Sequence, residues 1–196
     1  MKRWLALALV VAAFGWWTSP PMGRSRPPGV LAPQVPVQED LKDAPVIERG
    51  EFRLTPLAHF RVNARVLGRE DYRFDEGAAL SPMDLALGWG RMSDSAVLDR
   101  LDIDQSVRFY SWRWRNEPPL PPQEIVESSA NMHLIPADAG VERQLRRVRR
   151  GDVVEIEGYL IEARRDDGWF WRSSLTRKDS GAGACELVYV TSVSRS

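Results

Sequence analysis

The sequence predicts a mainly β domain with short helices, an α+β class in which the strands form a small closed or partly open β-barrel. Apolar and polar residues alternate in several segments, among them Phe60–Val66, Val153–Ile161 and Cys185–Val190. Gly and Pro residues separate these segments at short intervals. The composition, with 43% hydrophobic and 28% charged residues, is that of a globular protein.

Residues 1–18 are predicted to be a signal peptide or an N-terminal membrane anchor. Lys2 and Arg3 precede an uncharged apolar run, residues 4–17. A helix of that length spans about 21 Å, against about 30 Å of bilayer hydrocarbon, so the run is more typical of a signal peptide. Trp16 and Trp17 would suit an interfacial anchor, and both alternatives stay open. The rest of the chain is expected to be exported, periplasmic or otherwise extracytoplasmic, and anchored to the inner membrane by residues 4–17 if the helix is not cleaved.

Residues 19–45 are predicted to be a Pro-rich spacer, and residues 46–196 a single β-barrel-like domain. The spacer holds seven of the 14 prolines and few large apolar residues. Within the domain, residues 80–88 carry a helix signal, with Ser81 as cap and Pro82 in the first turn. Residues 105–115 are predicted to be one strand, and residues 141–150 a helix with a basic surface.

Charge and cysteine usage restrict the classes of function. Lys plus Arg and Asp plus Glu both number 27, so net charge favours no partner, and we expect no nucleic acid. One cysteine excludes an internal disulfide framework and a cysteine-cluster zinc site. Asp99, Asp102 and Asp104 lack the glycine and the final glutamate of a calcium loop. We therefore predict no metal site and no cofactor.

Aromatic residues are the first candidates for a binding surface. Trp112 and Trp114 alternate with arginines. Trp169 opens the aromatic segment that follows the predicted turn at residues 164–168. Such interleaving is used by sugar-binding and single-stranded nucleic-acid surfaces, because flat rings stack. The alternative interpretation, which we favour for Trp112 and Trp114, is that they form the core face of a strand. The expected partner is a cell-envelope protein or polysaccharide.

Polar residues in two later segments complete the binding candidates. Asn131 and His133 have the same parity in a predicted strand over residues 128–136. Arg177 and Asp179 lie in a predicted polar turn, residues 173–183, within a hairpin expected over residues 168–190. These four residues are candidate ligand contacts.

A thiol enzyme is the alternative function, with Cys185 as nucleophile and His133 as base. Such catalysis needs a group that orients the imidazole, here Asn131 or Asp179. The combination of His133 and Cys185 with an arginine, Arg195 or Arg177, is similar to the sortase transpeptidases and implies a hydrolase or transpeptidase. The Thr-Leu-x-Thr-Cys signature of that family is absent. Cys185 also alternates with apolar residues, which favours a small buried hydrophobe.

Two resemblances bear on the fold. A helix ending at Gly151-Asp152, followed by a strand with Gly158 at its centre, resembles the oligonucleotide/oligosaccharide-binding (OB) barrels, which implies an OB-like fold. The strings at residues 80–90, 129–137 and 173–186 resemble an uncharacterised group of exported bacterial β-rich proteins with no assigned activity. We therefore expect a cell-envelope binding or scaffold module.

Overall fold

The computed structural model describes residues 23–178 and 184–196. Of these residues, 46% lie in strands and 12% in helices, which confirms a mainly β fold with few short helices. The predicted signal or anchor helix lies outside the described residues, and within them no helix is long and apolar enough to cross a membrane.

The strands are β1 (Val37–Asp40), β2 (Ile47–Arg49), β3 (Phe52–Asp71), β4 (Met83–Gly88), β5 (Leu101–Ser106), β6 (Phe109–Trp114), β7 (Ser129–Pro136), β8 (Val153–Arg164), β9 (Phe170–Arg172) and β10 (Glu186–Arg195). The helices are α1 (Ser95–Leu98), α2 (Pro122–Glu127) and α3 (Ala139–Leu145), with a 3₁₀ helix at Gly90–Ser93.

Five strands pair in a closed ring, in the order β3, β4, β7, β10, β8 and back to β3. All neighbours are antiparallel except β7 and β10, which run parallel. The ring closes because β3 is long enough to serve two partners. Its residues 53–65 pair with β8, and its residues 65–71 pair with β4. Register shifts interrupt both pairings, and such bulges bend a strand.

The interior of the ring is the main hydrophobic core. Alternate residues of all five ring strands pack into one cluster, for example Phe60, Leu85, Leu134, Ile156 and Val188, each fully buried. Helix α3 follows β7 and adds Val141 and Leu145 to this cluster. Period-2 alternation therefore decides which face of β4 and β7 is apolar and which faces out of the ring.

Gly158 permits the closest approach between two ring strands. A Cβ at this position would lie 2.0 Å from the carbonyl oxygen of Tyr189 on β10. No side chain fits there, so the glycine at the centre of β8 is required by packing between backbones.

The helix predicted for residues 80–88 is wrong, because Met83–Gly88 forms β4. This strand is buried on both faces between β3 and β7. The sequence of a strand buried on both faces is mostly apolar and does not alternate. Periodicity cannot distinguish such a segment from a buried helix. Ser81, predicted as a cap, instead donates its hydroxyl hydrogen to the carbonyl of Leu134, at 3.2 Å.

The single strand predicted for residues 105–115 is two strands, β5 and β6, joined by a tight turn. Val107 and Arg108 form the turn with φ of 49° and 67°. Hairpin turns of two residues need this left-handed backbone, which is normally signalled by Asn or Gly. The turn was missed because neither residue gives that signal.

The hairpin expected within residues 168–190 does not form. Strand β9 pairs with the end of β8, and β10 pairs with the rest of β8 and with β7. Both strands therefore pair with β8 and not with each other.

The Pro-rich segment contacts the later part of the chain from Gly23 onward. Strand β1 pairs with β3. Ala32 is fully buried, and the backbone N–H groups of Leu31 and Ala32 donate to Oγ of Ser93, each at 3.0 Å. A Pro-rich composition predicts a segment with no core of its own, but it does not reveal that the rest of the chain supplies hydrogen-bond partners for it.

Candidate functional site

A buried carboxylate, Asp84, is the centre of a polar cluster on the outer face of β4 and β7. Its side chain is fully buried, whereas Met83 and Leu85 on either side face the ring interior. Oδ1 accepts a hydrogen bond from Nη1 of Arg108 at 2.9 Å, and Oδ2 accepts one from Nδ2 of Asn131 at 3.2 Å. A buried charge is tolerated only with such partners.

His133 is the second buried member of the cluster. It pairs with Asp84 across β4 and β7, and its Nδ1 lies 2.8 Å from Oδ2 of Asp84. The ring is not aligned for a straight hydrogen bond, so this is a close polar contact. The indole ring of Trp171 covers the imidazole, with ring centroids 4.6 Å apart.

Arg108 connects the hairpin tip to this cluster. Its Nη2 contacts both carboxylate oxygens of Asp75, at 2.8 and 3.0 Å, and its guanidinium carbon lies 3.7 Å from the ring centroid of Tyr72. The backbone N–H of Arg108 donates to the hydroxyl of Tyr72 at 2.9 Å. Burial, with Asp84 nearby, raises the pKa of Tyr72 to about 12. The tip is therefore held by an ion-pair network against the loop that joins β3 to β4.

The underside of the hairpin covers the remaining outer face of β4 and β7. Nε2 of Gln105 donates to Oδ1 of Asn131 at 2.7 Å, and the hydroxyl of Tyr110 donates to Oγ of Ser129 at 3.2 Å. Trp112 and Trp114 stack with centroids 5.6 Å apart, half-buried against a satellite core cluster. Both tryptophans thus pack on this satellite cluster, and Trp112 also lines a cleft of about 170 Å³.

The cleft beside this cluster, which we call the main cleft for its position rather than its size, opens between the hairpin tip and β9, with a volume of about 550 Å³. A larger cleft, of about 770 Å³, lies between β3, β5 and the segment after α3. Its lining residues are Arg108, Phe109, His133, Phe170, Trp171, Arg172 and Cys185. Phe109 and Phe170 are 50% and 49% exposed, so two aromatic rings flank the opening. Sequence reasoning did not single out either phenylalanine.

Cys185 is half-buried at the edge of this cleft rather than a core residue. Its Sγ lies 3.9 Å from the backbone carbonyl oxygen of Arg108. Leu187, two residues on, pairs with His133 across the parallel strands β10 and β7. The structure therefore brings Cys185 and His133 to one cleft.

Arg177 lies beside the main cleft. It lines a smaller cleft of about 170 Å³ together with Asn131 and Cys185. Its Nη2 donates to Oε1 of Gln38 at 2.7 Å, and its Nη1 lies 3.9 Å from Oε1 of the buried Glu186. Asp179 lies outside the described residues.

Two further candidates lie away from the cluster's centre. Trp169 packs edge-on against Phe52 and Trp171, with centroids 5.4 and 6.0 Å apart. Arg195, the alternative arginine of the thiol hypothesis, donates to the carbonyl of Arg147 at 2.5 Å, near the start of β8. It lines neither cleft.

The cluster contains residues that sequence reasoning missed. Asp84 is the only charged residue at positions 80–88, which is the one signal that could have identified it. Arg108 and Trp171 carried no such signal. No group of three or more His, Cys, Asp and Glu residues in the described ranges could hold a metal ion. Comparisons with protein-family models, with curated proteins and with solved structures find no match for this chain.

Proposed function

We propose that this chain is an exported cell-envelope module, tethered by residues 4–17, that binds a polysaccharide in the main cleft. The observation that carries the proposal is the pair of half-exposed rings, Phe109 and Phe170, which line one cleft together with Trp171 and the polar side chains around it. Several exposed aromatic rings that line one cleft form a contiguous apolar patch, and such patches mark binding surfaces, whereas a single exposed ring does not.

The arrangement of the ring supports the finer fold prediction, an OB-like barrel. OB-like barrels have five strands, and their ligands contact the second and third strands and the loops 1–2 and 4–5. Counted along the chain, the second and third ring strands are β4 and β7, which carry Asp84 and His133. Loop 1–2 contributes Tyr72 and Asp75, and loop 4–5 contains β9 with Trp171. The cleft therefore lies where ligands of OB-like barrels bind.

The chemistry of the cleft suits a saccharide. Its volume falls in the range of small-ligand sites, about 300–1,000 Å³. The apolar faces of sugar rings can pack on Phe109, Phe170 and Trp171, and Arg172 can donate to hydroxyl or carboxylate groups. The guanidinium of Arg108 is held by Asp75 and Asp84, so its position is set before a ligand arrives.

Calorimetric titration of the full chain with soluble peptidoglycan fragments and with chito-oligosaccharides tests the proposal. We expect Phe170→Ala and Phe109→Ala each to weaken binding at least tenfold with an unchanged circular dichroism spectrum. Phe74→Ala is the matched control, because Phe74 is 98% exposed and does not line the cleft. Equal affinities for all three variants, or no binding of either saccharide, would exclude the proposal.

One observation favours the thiol enzyme as a second function. Cys185 and His133 line the same cleft, and Asp84 lies 2.8 Å from Nδ1 of His133. In a triad the acid orients the imidazole through one nitrogen while the other nitrogen serves the nucleophile. Asp84 would take the orienting role that the sequence assigned to Asn131 or Asp179, because Asn131 already binds Asp84 and the carbonyl of Arg108.

Alkylation of Cys185 by iodoacetamide separates the two functions. A thiol enzyme requires a thiolate maintained by the imidazole, so His133→Gln would slow alkylation at least tenfold at neutral pH. The binding module requires no such activation, and the two rates would then agree within a factor of two.

A further inference from the structure

The chain enters the described domain through a backbone segment that is fixed in place. The N–H of Arg24 donates to the carbonyl of Arg150 at 2.8 Å, and Nε of Arg24 lies 3.2 Å from Oδ1 of Asp152. Nε of Arg26 donates to the carbonyl of Gly151 at 3.2 Å. A Cβ on Gly151, whose φ is +87°, would lie 2.1 Å from the carbonyl oxygen of Arg24. Only glycine permits this contact, which secures the point of entry.

Arginines surround the point of entry, and we call them the basic surface. They are Arg24, Arg26, Arg143, Arg146, Arg147, Arg149, Arg150 and Arg195. Among the described residues, the ion pairs of this surface involve two carboxylates, Glu142 and Asp152. Asp152 offsets part of the charge of Arg24 and Arg195, but eight arginines face only these two carboxylates in the ion pairs. The surface is therefore strongly positive although the net charge of the chain is zero.

The positive charge continues into an adjoining cleft of about 370 Å³, lined by Arg24, Arg26, Arg65 and Arg150 among others. Arg65 is buried, and its Nη1 donates to the carbonyl of Ser93 and to Oγ of Ser95, at 3.1 and 2.8 Å. Burial lowers the pKa of Arg65. The negative charge of Asp99 raises this pKa, and the positive charges of Arg26 and Arg150 lower it further. An anion in this cleft would relieve the repulsion among the guanidinium groups.

Covalent geometry limits how far this surface can lie from the apolar run. Residues 18–22 separate Trp17 from Gly23, and consecutive Cα atoms are about 3.8 Å apart, so the six intervals of this link span about 23 Å at most. The packing of residues 23–45 on the domain removes the longer reach that a free spacer would supply. Any membrane that holds residues 4–17 is thus within reach of the basic surface.

We propose that the basic surface rests on the anionic phospholipid headgroups of the membrane that holds residues 4–17, with a headgroup phosphate in the Arg65 cleft. This rests on the tether in the proposed function. Basic segments next to a membrane helix are attracted to anionic lipids. Because α3 and the start of β8 lie on the membrane side, the sugar-binding cleft at the other end of β8 would face away from the bilayer.

Energy transfer between the domain and labelled lipid headgroups tests this orientation in the full chain. A donor dye is attached at Gln144→Cys, on the exposed side of α3, in a Cys185→Ser background. Vesicles contain phosphatidylcholine alone or with about one third phosphatidylglycerol. We expect transfer at least twofold higher with phosphatidylglycerol, falling to the neutral-lipid value at about 0.5 M salt, where charges are screened.

The variant Arg147→Gln/Arg149→Gln/Arg150→Gln should abolish the difference between lipids. The matched control, Arg53→Gln/Arg61→Gln/Arg164→Gln, removes the same charge from exposed arginines farther along β3 and β8 and should keep it. Equal transfer from both vesicle types, or equal loss in both variants, would overturn the proposal. So would full competition by inorganic phosphate at matched ionic strength, which would indicate a free-anion site.

Carbonate extraction of the same vesicles reports insertion of residues 4–17 separately. If carbonate removes the chain from the vesicles, residues 4–17 are not inserted, and the tether in the proposed function is refuted. The transfer experiment still decides the present proposal, because it compares lipid compositions rather than insertion.

Discussion

Nδ1 of His133 lies 2.8 Å from Oδ2 of Asp84, and both side chains are buried between the ring and its covering hairpin. The pair lies on directly opposed positions of β4 and β7, so the sheet register rather than loop geometry sets the distance. A buried acid in this position must be compensated, and Arg108 supplies the compensating charge from a different sheet. Folding of the hairpin and formation of the site are therefore coupled.

Asp84→Asn is expected to destabilise the domain by about 3 kcal/mol, because it leaves Arg108 and its surroundings without the buried carboxylate. Asp75→Asn is the control. Its carboxylate contacts the same guanidinium but is 39% exposed, and we expect a cost of about 1 kcal/mol or less. Urea denaturation measures both free energies of unfolding. Equal costs would show that Asp84 is not the main partner of Arg108.

Val107→Asn is expected to stabilise the domain by about 1 kcal/mol. Val107 is 78% exposed and has φ of 49°, a conformation that β-branched residues resist and asparagine tolerates. Val46→Asn, at a 50% exposed valine without positive φ, should change stability by less than about 0.5 kcal/mol. A destabilised Val107→Asn variant in thermal or urea unfolding would contradict the turn geometry.

Gly158→Ala is expected to cost several kcal/mol or to prevent folding, since its Cβ would overlap the carbonyl of Tyr189 and separate β8 from β10. Gly168→Ala meets no atom within 4 Å, and its φ of +93° leaves only backbone strain, about 1 kcal/mol. Comparison of soluble yield and unfolding midpoints distinguishes them. Similar values for the two variants would show that the ring does not close at Gly158.

Stability should fall as pH rises from about 10 toward 12. Burial raises the pKa of Tyr110 to about 12, whereas an unfolded tyrosine titrates near 10. Between these two pH values the folded state retains a proton that the unfolded state has lost. The contribution of Tyr110 to the free energy of unfolding is therefore complete below pH 10 and is lost as pH rises through the pKa of Tyr110 in the folded state. Tyr110→Phe should make this decline shallower in unfolding measured between pH 9 and 12. An unchanged slope would mean that the phenol ionises normally in the folded state.

Part of the candidate site could be predicted from the sequence. Parity along residues 128–136 placed Asn131 and His133 on one face, because a strand alternates sides whatever surrounds it. The ion pair of Asp84 with Arg108 could not be predicted, because it depends on the packing of two different sheets. The turn at Val107 and Arg108 also lacked the Asn or Gly that would have predicted a hairpin. Phe170 and Trp171 have opposite parity, yet both line the main cleft, so parity alone could not identify the cleft.

The sequence by itself determined the mainly β class, the strands β3, β7 and β8 and the buried faces of most strands, because these follow from local alternation and turn residues. The tertiary structure decided that Met83–Gly88 is a strand, since two neighbouring strands satisfy its backbone. It also decided that β9 and β10 share β8, and that the segment from Gly23 to Asp40 packs on the domain. Those outcomes depend on hydrogen-bond partners contributed by distant parts of the chain, which no local pattern records.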